Sequence, residues 1–259
     1  MHTLRNIFER ILAALTFFTR LPLGRRVKVS AEAYQHVVPL WPLMGWLTGG
    51  LMVGLFILCR KAGLDVGTAV VLALTSRVLL TGALHEDGLA DFCDGFGGRD
   101  KNRTLEIMKD SHIGTYGVIG LILYFLLLFL AIISMKPFEA ALTMLAADPF
   151  AKMLSAQLVQ MMPYARTEET AKNHTVYRKF DVKAGISLSI QGLLPIGLYI
   201  YYLYERVNWQ LLIFVPAIVM YFLYLLVWRR LRGYTGDCCG ALCLITELAT
   251  VLVASYCLS

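Results

Sequence analysis

Hydrophobic residues along this chain fall into long blocks separated by short polar connections. Each block is close to the ~20 residues that an α-helix needs to cross the hydrocarbon core of a bilayer. The pattern therefore predicts an all-α integral membrane protein, a polytopic bundle of about seven transmembrane helices. The predicted spans are residues 37–59, 62–84, 113–135, 137–158, 184–204, 208–228 and 236–258. Asp148, Pro149 and Lys152 interrupt the fourth span, and Pro39 and Pro42 with a glycine-rich centre favour a kink in the first.

Composition and the distribution of basic residues refine this picture. Hydrophobic residues make up 58% of the chain and charged residues only 16%, and the mean hydropathy is +0.62, far more apolar than a soluble domain needs. Of the 24 Lys and Arg residues, 18 lie in the arm 1–30 and in the connections 85–112, 159–183 and 229–235, against four in the alternate connections. This bias predicts that the N-terminus and these connections lie in the cytoplasm and that the C-terminus lies outside.

The sequence predicts no separate domain outside the membrane region. Residues 1–259 form a single membrane domain, because there is no long hydrophilic stretch, tandem repeat or low-complexity tract. Residues 7–20 have apolar positions at helical spacing and charges at both ends, which predicts an amphipathic helix at the membrane interface. The six cysteines have no paired metal-ligand spacing, and we predict no disulfide framework.

Three aspartates follow the second predicted span at helical spacing. Asp87, Asp91 and Asp94 fall within roughly 60° of one another on a helix, with Glu86 on the flank. Such close like charges repel, and an all-oxygen set favours Mg²⁺, Mn²⁺ or Ca²⁺ over zinc. Arg77, two turns earlier, could also neutralise the stripe. A solvated acidic face would explain an ordinary charge run, but the position directly after an apolar span favours a cation site.

Basic residues surround these carboxylates in the predicted cytoplasmic connections. Carboxylates for a metal and Lys or Arg for phosphate oxygens together predict a site for a Mg²⁺-diphosphate. Gly114 and Gly117 leave backbone N–H groups at a helix start that could face an anion. The candidate phosphate or substrate contacts are Arg99, Asn102, Arg103, Lys109, Asp110, Ser111, His112, Arg166, Thr167 and Asp237.

Two of these candidates also have a purely structural explanation. Thr167, which two glutamates follow, is typical of a helix cap, and we leave both interpretations open. Asp237 is typical of an N-cap for the last span. The neighbouring Gly233, Gly236 and Gly240 imply close backbone approach, which favours a site role for Asp237.

The residue types leave two functional classes open. One is a membrane enzyme that moves a phosphate-linked group with Mg²⁺, and the other is a divalent-cation transporter. A permeation path needs acidic residues at mid-bilayer on several helices, whereas these lie at the cytoplasmic end of one segment. A transporter also has no need of so many phosphate-seeking Lys and Arg residues. The pattern therefore favours the enzyme.

At these residues the chain resembles the cobalamin synthase family, the adenosylcobinamide-GDP ribazoletransferases. The resemblance covers nearly the whole length and rests on residues 15–22, 85–95, 108–117, 166–167 and 236–237. It implies the last assembly step of coenzyme B12 in the bacterial cytoplasmic (inner) membrane. In that step the adenosylcobinamide phosphoryl group passes from adenosylcobinamide-GDP to α-ribazole, or α-ribazole 5′-phosphate, with Mg²⁺ and with release of GMP.

The resemblance also implies roles for individual residues. The acidic stripe would hold one or two Mg²⁺ ions on the diphosphate. Asp94 is the candidate general base, by analogy with CDP-alcohol phosphotransferases, which use a comparable aspartate series. Asp110 and Asp237 could add metal ligands or orient the nucleotide. The catalytic candidates are Asp87, Asp91, Asp94 and Lys109, and the metal candidates are Glu86, Asp87, Asp91 and Asp94.

The main enzymatic alternative is a CDP-alcohol phosphotransferase that makes phospholipid head groups. Its pattern, Asp-Gly-x-x-Ala-Arg and then Gly-x-x-x-Asp-x-x-x-Asp, is not met. No Arg follows Ala90, and Asp91 and Asp94 are three residues apart rather than four. The partners we expect are the two substrates and the lipid bilayer, without nucleic acid; a homo-oligomer or contact with other cobalamin-assembly enzymes is left open.

Overall fold

The structure is a computed structural model that describes residues 2–25, 28–166 and 176–259. Apart from one isolated bridge between Tyr164 and Tyr234, the ordered elements of this part are helices, which confirms the predicted all-α fold. Short 3-10 turns cover Pro22–Arg25 and Val38–Leu40. The α-helices are α1 (His2–Phe18), α2 (Ala31–Gln35), α3 (Trp41–Lys61), α4 (Val66–Thr81), α5 (Leu84–Gly95), α6 (Lys101–Ile107), α7 (Thr115–Ile133), α8 (Pro137–Met161), α9 (Val182–Tyr202), α10 (Trp209–Leu231) and α11 (Gly236–Leu258).

Each predicted span corresponds to a helix, but the count of seven is not confirmed. α3 with its preceding turn, α7, α9, α10 and α11 are long and apolar enough to cross a membrane. α4 and α5 meet the same criterion only as a pair, and they are bent by 89° at the break between them. α8 has 25 residues but is not among these candidates. The described residues therefore contain five candidate spans, or six if the bent pair is one span.

α8 lies at the centre of the bundle, which explains its polar composition. It packs against α3, α9 and α11 and buries Glu139, Asp148 and Lys152. Lys152 pairs with Asp148 one turn earlier, and Asp148 also accepts a hydrogen bond from Thr48 of α3. Arg206 pairs with Glu139. A helix enclosed by other helices can carry charges when each finds a partner inside the protein.

α3 runs without a break through the residues that were predicted to kink it. Pro39 lies in the preceding 3-10 turn, and Pro42 lies in the first turn of α3, where proline removes no needed hydrogen bond. Gly45 lies against α8, since a Cβ there would stand 2.7 Å from the Cα of Pro149. The prolines therefore shape the start of α3, and Gly45 permits close packing.

The bend between α4 and α5 separates the acidic residues from the predicted second span. Gly82 and Ala83 have left-handed φ angles of 66° and 58°, which end α4 after Thr81. Gly82 also has no Cβ that would collide with the side chain of Arg20. The apolar span is thus shorter than predicted, and the acidic stripe lies on α5, between α7 and α11.

α1 confirms the predicted N-terminal helix, and part of its surface packs on the bundle. Ala13, Ala14 and Phe18 are buried in the core. Ile7 and Phe8, closer to the N-terminus, are exposed. The apolar face that was predicted to meet lipid is therefore buried against protein in the C-terminal half of the helix.

Candidate active site

α5 and α11 cross at two glycines, which brings their carboxylates to one place. A Cβ on Gly88 would stand 3.1 Å from the carbonyl oxygen of Asp237 and 3.5 Å from the Cα of Gly240. Any larger side chain would separate the two backbones. Asp237 lies in the first turn of α11, after the N-cap Thr235. The crossing therefore holds Asp237 beside the N-terminal half of α5.

The predicted close approach of three glycines is confirmed for two of them. A Cβ on Gly240 would stand 3.3 Å from the Cα of His85, and a Cβ on Gly233 would stand 2.7 Å from the carbonyl oxygen of Pro163. The prediction is wrong for Gly236, where a Cβ would meet no described atom within 4 Å. Close packing thus fixes the chain at Gly233, just before α11, and at Gly240, within the N-terminal part of α11.

A cavity of about 250 Å³ lies beside this crossing. Asp87, Asp237, Arg20 and Arg166 line it, so two carboxylates and two guanidinium groups meet at one cavity. Most of the remaining wall is apolar. Its aromatic residues are Phe17, Phe18, Trp41, His85, Tyr164 and Tyr177.

Arg166 is held at the cavity by contacts between loops. Its Nη2 donates a hydrogen bond to the carbonyl oxygen of Leu105 at 2.9 Å. The N–H of Ala165 donates to the Tyr234 carbonyl at 2.8 Å, and the N–H of Tyr234 donates to the Pro163 carbonyl at 2.9 Å. Nε and Nη1 of Arg166 are buried without a hydrogen-bond partner among the described residues. The guanidinium therefore has two donors for an oxygen-rich ligand.

The tyrosines of the wall are neutral. Burial raises the pKa of Tyr164 to about 12, and it raises the pKa of Tyr177 well above its ordinary value. The hydroxyl of Tyr234 donates to the carbonyl oxygen of Tyr177 at 3.4 Å. The wall therefore presents rings and neutral hydroxyl groups rather than phenolates.

Asp94 is bound to the start of α7. Its two carboxylate oxygens accept hydrogen bonds from the N–H groups of Gly114 and Gly117, at 2.7 and 2.8 Å. A Cβ on either glycine would stand 2.5 Å from an Asp94 oxygen, so both positions need glycine. The anion that faces these N–H groups is the protein's own Asp94 side chain.

A second recess, a cleft of about 470 Å³, lies at the C-terminal end of α5. Asp94, Arg103, Asp110 and His112 line it. Arg103 pairs with Glu106 at 3.1 Å, and Nδ1 of His112 lies 2.7 Å from Oδ1 of Asp110. Hydrogen bonds from the backbone and side chain of His112 hold the pKa of Asp110 below its ordinary value. The cleft is therefore more polar than the cavity.

Within the bundle, Arg77 joins the helices that carry the site. Its Nη1 donates to Oε1 of Glu247 in α11 at 2.5 Å, and its Nη2 donates to the hydroxyl of Tyr124 in α7 at 2.8 Å. Nη2 also lies 3.7 Å from Oε1 of Glu86 in α5. Arg77 thus lies beside Glu86, on the flank of the acidic stripe, and its neutralisation of the three aspartates stays a prediction. Oε2 of Glu86 is buried without a hydrogen-bond partner in the described structure.

Some of the predicted site residues line the cavity, some line the cleft, and the others line neither recess. Asp91 and Glu86 are buried on α5, and Thr167 lies outside the described residues. Four further candidates are exposed and lie outside the walls of both recesses as described. The cavity group is Asp87, Arg166 and Asp237, the cleft group is Asp94, Arg103, Asp110 and His112, and the four exposed residues are Arg99, Asn102, Lys109 and Ser111.

The predicted metal ligands do not form a ready cage in the described part of the chain. No group of three or more His, Cys, Asp or Glu side chains there is arranged to hold an ion. Asp87 faces the cavity, whereas Asp94 is bound to α7. Asp87, Asp91 and Asp237 each have a further interaction. The magnesium site stays a prediction.

The aromatic wall and Arg20 are absent from the residues that the sequence predicted for the site. Phe17, Phe18 and Arg20 lie within the motif 15–22, which was a usable signal. His85 begins the acidic motif. Trp41 had no signal of its own, because an aromatic residue near the start of a membrane helix is ordinary.

The chain is similar to known proteins along almost its whole length. The family model for cobalamin-5-phosphate synthase matches residues 10–255. A Shewanella amazonensis protein named adenosylcobinamide-GDP ribazoletransferase is 35% identical, over 98% of this chain and 97% of that protein. Proteins of the same name from Shewanella woodyi and Leptospira interrogans are 30% identical, over 98% and 96% of this chain and 98% and 95% of their own lengths. No solved structure matches the chain. The resemblance predicted from the motifs is confirmed, and the chain belongs to the cobalamin-5-phosphate synthase family.

Proposed function

We propose that this protein is a membrane transferase that completes the assembly of coenzyme B12. The adenosylcobinamide phosphoryl group passes from adenosylcobinamide-GDP to α-ribazole, or α-ribazole 5′-phosphate, and GMP is released. Family membership and relatives of that name along almost the whole chain support the reaction. The structural observation that carries it is the cavity where Asp87, Asp237 and Arg166 converge.

The carboxylates at the cavity fit a magnesium ion that binds together with the diphosphate. Mg²⁺ is usually held by one or two carboxylates plus substrate phosphates and waters, rather than by an all-protein cage. Asp87 and Asp237 would supply these carboxylates, with Asp91 and Glu86 behind them on α5. The ion would neutralise charge on the diphosphate and on the departing GMP.

Basic residues would bind the remaining phosphate oxygens. Arg166 supports this role best, because two of its guanidinium donors are buried and unpartnered among the described residues. Arg103 lines the cleft, and Arg99 and Lys109 lie on exposed segments near it in sequence. Charge-assisted hydrogen bonds from such groups orient the diphosphate and stabilise the charge that develops on the leaving group.

Asp94 is the residue we propose as proton acceptor. Each of its oxygens accepts one backbone hydrogen bond and keeps a second lone pair, so the carboxylate is oriented and can still take a proton. A ribose hydroxyl of the acceptor attacks the phosphorus that bears cobinamide, and the bond from that phosphorus to the GMP oxygen breaks. The hydroxyl proton passes to Asp94.

The protein would lie in the bacterial cytoplasmic membrane with its N-terminus inside and its C-terminus outside. Large apolar side chains such as Ile122, Ile190 and Phe222 are exposed on α7, α9 and α10, which suits contact with lipid. The basic residues of the connections 85–112 and 229–235 would face the cytoplasm. The nucleotide substrate would thus reach the site from the cytoplasmic side.

The direct test is an assay of the protein purified in detergent. With adenosylcobinamide-GDP, α-ribazole and Mg²⁺ we expect a cobalamin and GMP in equal amounts, measured by chromatography. EDTA should abolish the reaction, and added Mg²⁺ should restore it. We expect Asp87→Asn to lower the rate at least roughly 100-fold, as loss of a metal-binding group does.

Asp65→Asn is the matched control, since this exposed residue caps α4 and asparagine also caps helices. It should keep normal activity. Full activity in EDTA, or in Asp87→Asn, would contradict the metal assignment. Release of CMP from a CDP-linked lipid, or Mg²⁺ uptake by proteoliposomes without nucleotide, would instead support the phospholipid or transporter alternative.

A further inference from the structure

Three parallel rings form one wall of the cavity. The rings of Phe18 and Trp41 are 5.7 Å apart at 7°, and those of Trp41 and His85 are 5.7 Å apart at 11°. These rings come from the end of α1, the start of α3 and the start of α5. Phe17 and Tyr177, whose rings are 5.9 Å apart, add aromatic surface to the lining. Offset parallel rings of this kind favour a flat aromatic ligand.

The polar ring atoms of Trp41 and His85 in this wall are paired with each other. Nε1 of Trp41 donates to Nε2 of His85 at 3.1 Å, so this imidazole nitrogen acts as an acceptor. Phe17, Phe18 and Val38 add purely apolar surface. The edge donors and acceptors of a base such as guanine would find no partner among these rings, and the carboxylates and guanidinium groups of the cavity are needed for the sugar and the phosphoryl group. A base with little polarity suits this wall better.

The two recesses lie at opposite ends of the acidic stripe. Asp87 lines the cavity and Asp94 lines the cleft, and the two are two helical turns apart on α5, about 10 Å along the axis. Arg166 connects the recesses, because it lines the cavity and donates to Leu105 of α6. The neighbouring Arg103 and Glu106 of α6 line the cleft. A phosphoryl group beside Arg166 would therefore lie between them.

In-line phosphoryl transfer requires the attacking and leaving oxygens on opposite sides of the phosphorus. We propose that the aromatic cavity binds the benzimidazole base of the acceptor, α-ribazole, with its ribose extending past Asp87 and Arg166 toward Asp94, and that the donor's guanosine lies outside the cavity. This inference rests on the proposed function and assigns the acceptor to named residues. The ribose hydroxyl then attacks with Asp94 as its proton acceptor, and GMP leaves from the opposite side of the phosphorus with the electron pair of the broken bond.

The size of the cavity agrees with a nucleoside. At about 250 Å³ it is smaller than the ~300–1,000 Å³ of pockets that enclose drug-sized ligands. A bicyclic base with its sugar fits this scale, whereas the corrinoid macrocycle is too large. The cobinamide part of the donor must therefore lie outside the cavity.

Substitution of Trp41 tests the assignment through the Michaelis constants of the two substrates. We expect Trp41→Leu to raise the KM for α-ribazole about 5- to 150-fold, the range for loss of one stacking contact, with little change in the KM for adenosylcobinamide-GDP. Because Trp41 is buried and its loss can impair folding, Phe17→Leu is a second variant. Phe17 is only half-buried, and we expect the same selective effect at the lower end of this range.

Trp209→Leu and Phe222→Leu are matched controls, because these residues are exposed on α10. Both should keep wild-type KM values for both substrates. A selective rise in the KM for adenosylcobinamide-GDP in the Trp41 and Phe17 variants would overturn the proposal in favour of guanosine in the cavity. Unchanged KM values in these two variants would also overturn it.

Equilibrium binding separates this inference from the proposed reaction. Detergent-purified protein should bind α-ribazole in the absence of the donor, with quenching of tryptophan fluorescence, and Phe17→Leu should weaken this binding about fivefold or more. Such binding without any transfer by the wild-type protein would contradict the reaction and leave the cavity assignment intact. If the wild-type protein catalyses transfer but Phe17→Leu does not change α-ribazole binding, the reaction is supported and the cavity assignment is contradicted.

Discussion

The carboxylate of Asp94 links α5, which carries it, to the start of α7. Its oxygens hold the N–H groups of Gly114 and Gly117, which belong to the start of α7 and have no partner within that helix. A negative charge at this position also interacts favourably with the helix dipole. The geometry of the proposed proton acceptor therefore depends on two positions without a side chain.

Gly117→Ala should displace Asp94 without removing its charge. The added Cβ would stand 2.5 Å from Oδ2 of Asp94 and 3.0 Å from the carbonyl oxygen of Ala90. We expect kcat to fall at least roughly tenfold, because a misplaced general base loses part of its usual 10²–10⁴-fold contribution. GMP release at saturating substrate measures the effect.

Gly54→Ala is the control for this substitution. Gly54 lies in α3, where a Cβ would meet no described atom within 4 Å, and alanine stabilises a helix by about 0.5–1 kcal/mol relative to glycine. This variant should keep the wild-type kcat, with a thermal stability equal to or slightly above that of the wild type. Equal losses of kcat in both variants would argue against a specific requirement at Gly117.

The helix α5 is positioned by contacts from several other elements. The left-handed residues Gly82 and Ala83 turn it away from α4, the glycine crossing holds it against α11, and Arg77 lies beside its Glu86. The helical spacing of the acidic residues was predictable from the sequence. The 89° bend was not, because a non-glycine residue such as Ala83 rarely adopts positive φ.

Arg77→Met should weaken the contact between the site helices. The substitution would leave Glu247 buried without its cation, and loss of one partner from a buried pair typically costs about 3–5 kcal/mol. We expect a clear fall in Tm in detergent together with loss of transfer. Thermal unfolding followed by fluorescence measures the stability.

The double variant Arg77→Met/Glu247→Gln should recover part of the lost stability, because the unpaired charge is removed. Arg103→Met is the control for stability, since the Arg103–Glu106 pair is exposed and should contribute about 0–1 kcal/mol. A double variant no more stable than Arg77→Met alone would show that the buried Arg77–Glu247 pair is not the source of the loss.

Hydrophobic blocks predicted the limits of the helices better than their surroundings. The predicted limits of α7, α8, α9, α10 and α11 agree with the structure within a few residues. The apolar side chains of α7, α9 and α10 are exposed, as expected for helices that contact lipid. α8 is different, because Asp148 accepts a hydrogen bond from Thr48 and Glu139 pairs with Arg206, and only the folded bundle brings these residues together.

At the scale of the whole molecule, the sequence predicted the acidic stripe of the site, and only the folded structure shows the cavity beside it. The acidic stripe is contiguous in sequence, and the motif with Arg166 was also recognisable. The cavity combines residues near positions 17, 41, 85, 164 and 237. Such distant segments meet only through the packing of α1, α3, α5 and α11, for which no single motif is diagnostic.

The orientation of the whole chain can be tested with single cysteines. Glu205 and Lys179 are exposed, in the α9–α10 connection and just before α9. We expect Glu205→Cys to react with a membrane-impermeant maleimide in intact spheroplasts, and Lys179→Cys only after permeabilisation. The native cysteines are buried or half-buried, so the unmodified protein provides the background. The opposite labelling pattern would reverse the predicted topology.

The buried charges of α8 also affect how the chain is made. Asp148 and Lys152 each cost about 2.5–3.5 kcal/mol at the centre of a helix that enters lipid alone. α3 is synthesised before α8 and carries Thr48, whereas α9 and α11 emerge from the ribosome later. A nascent chain that ends after α8 therefore lacks part of this shielding, and we expect α8 to integrate stably only once the C-terminal helices are complete.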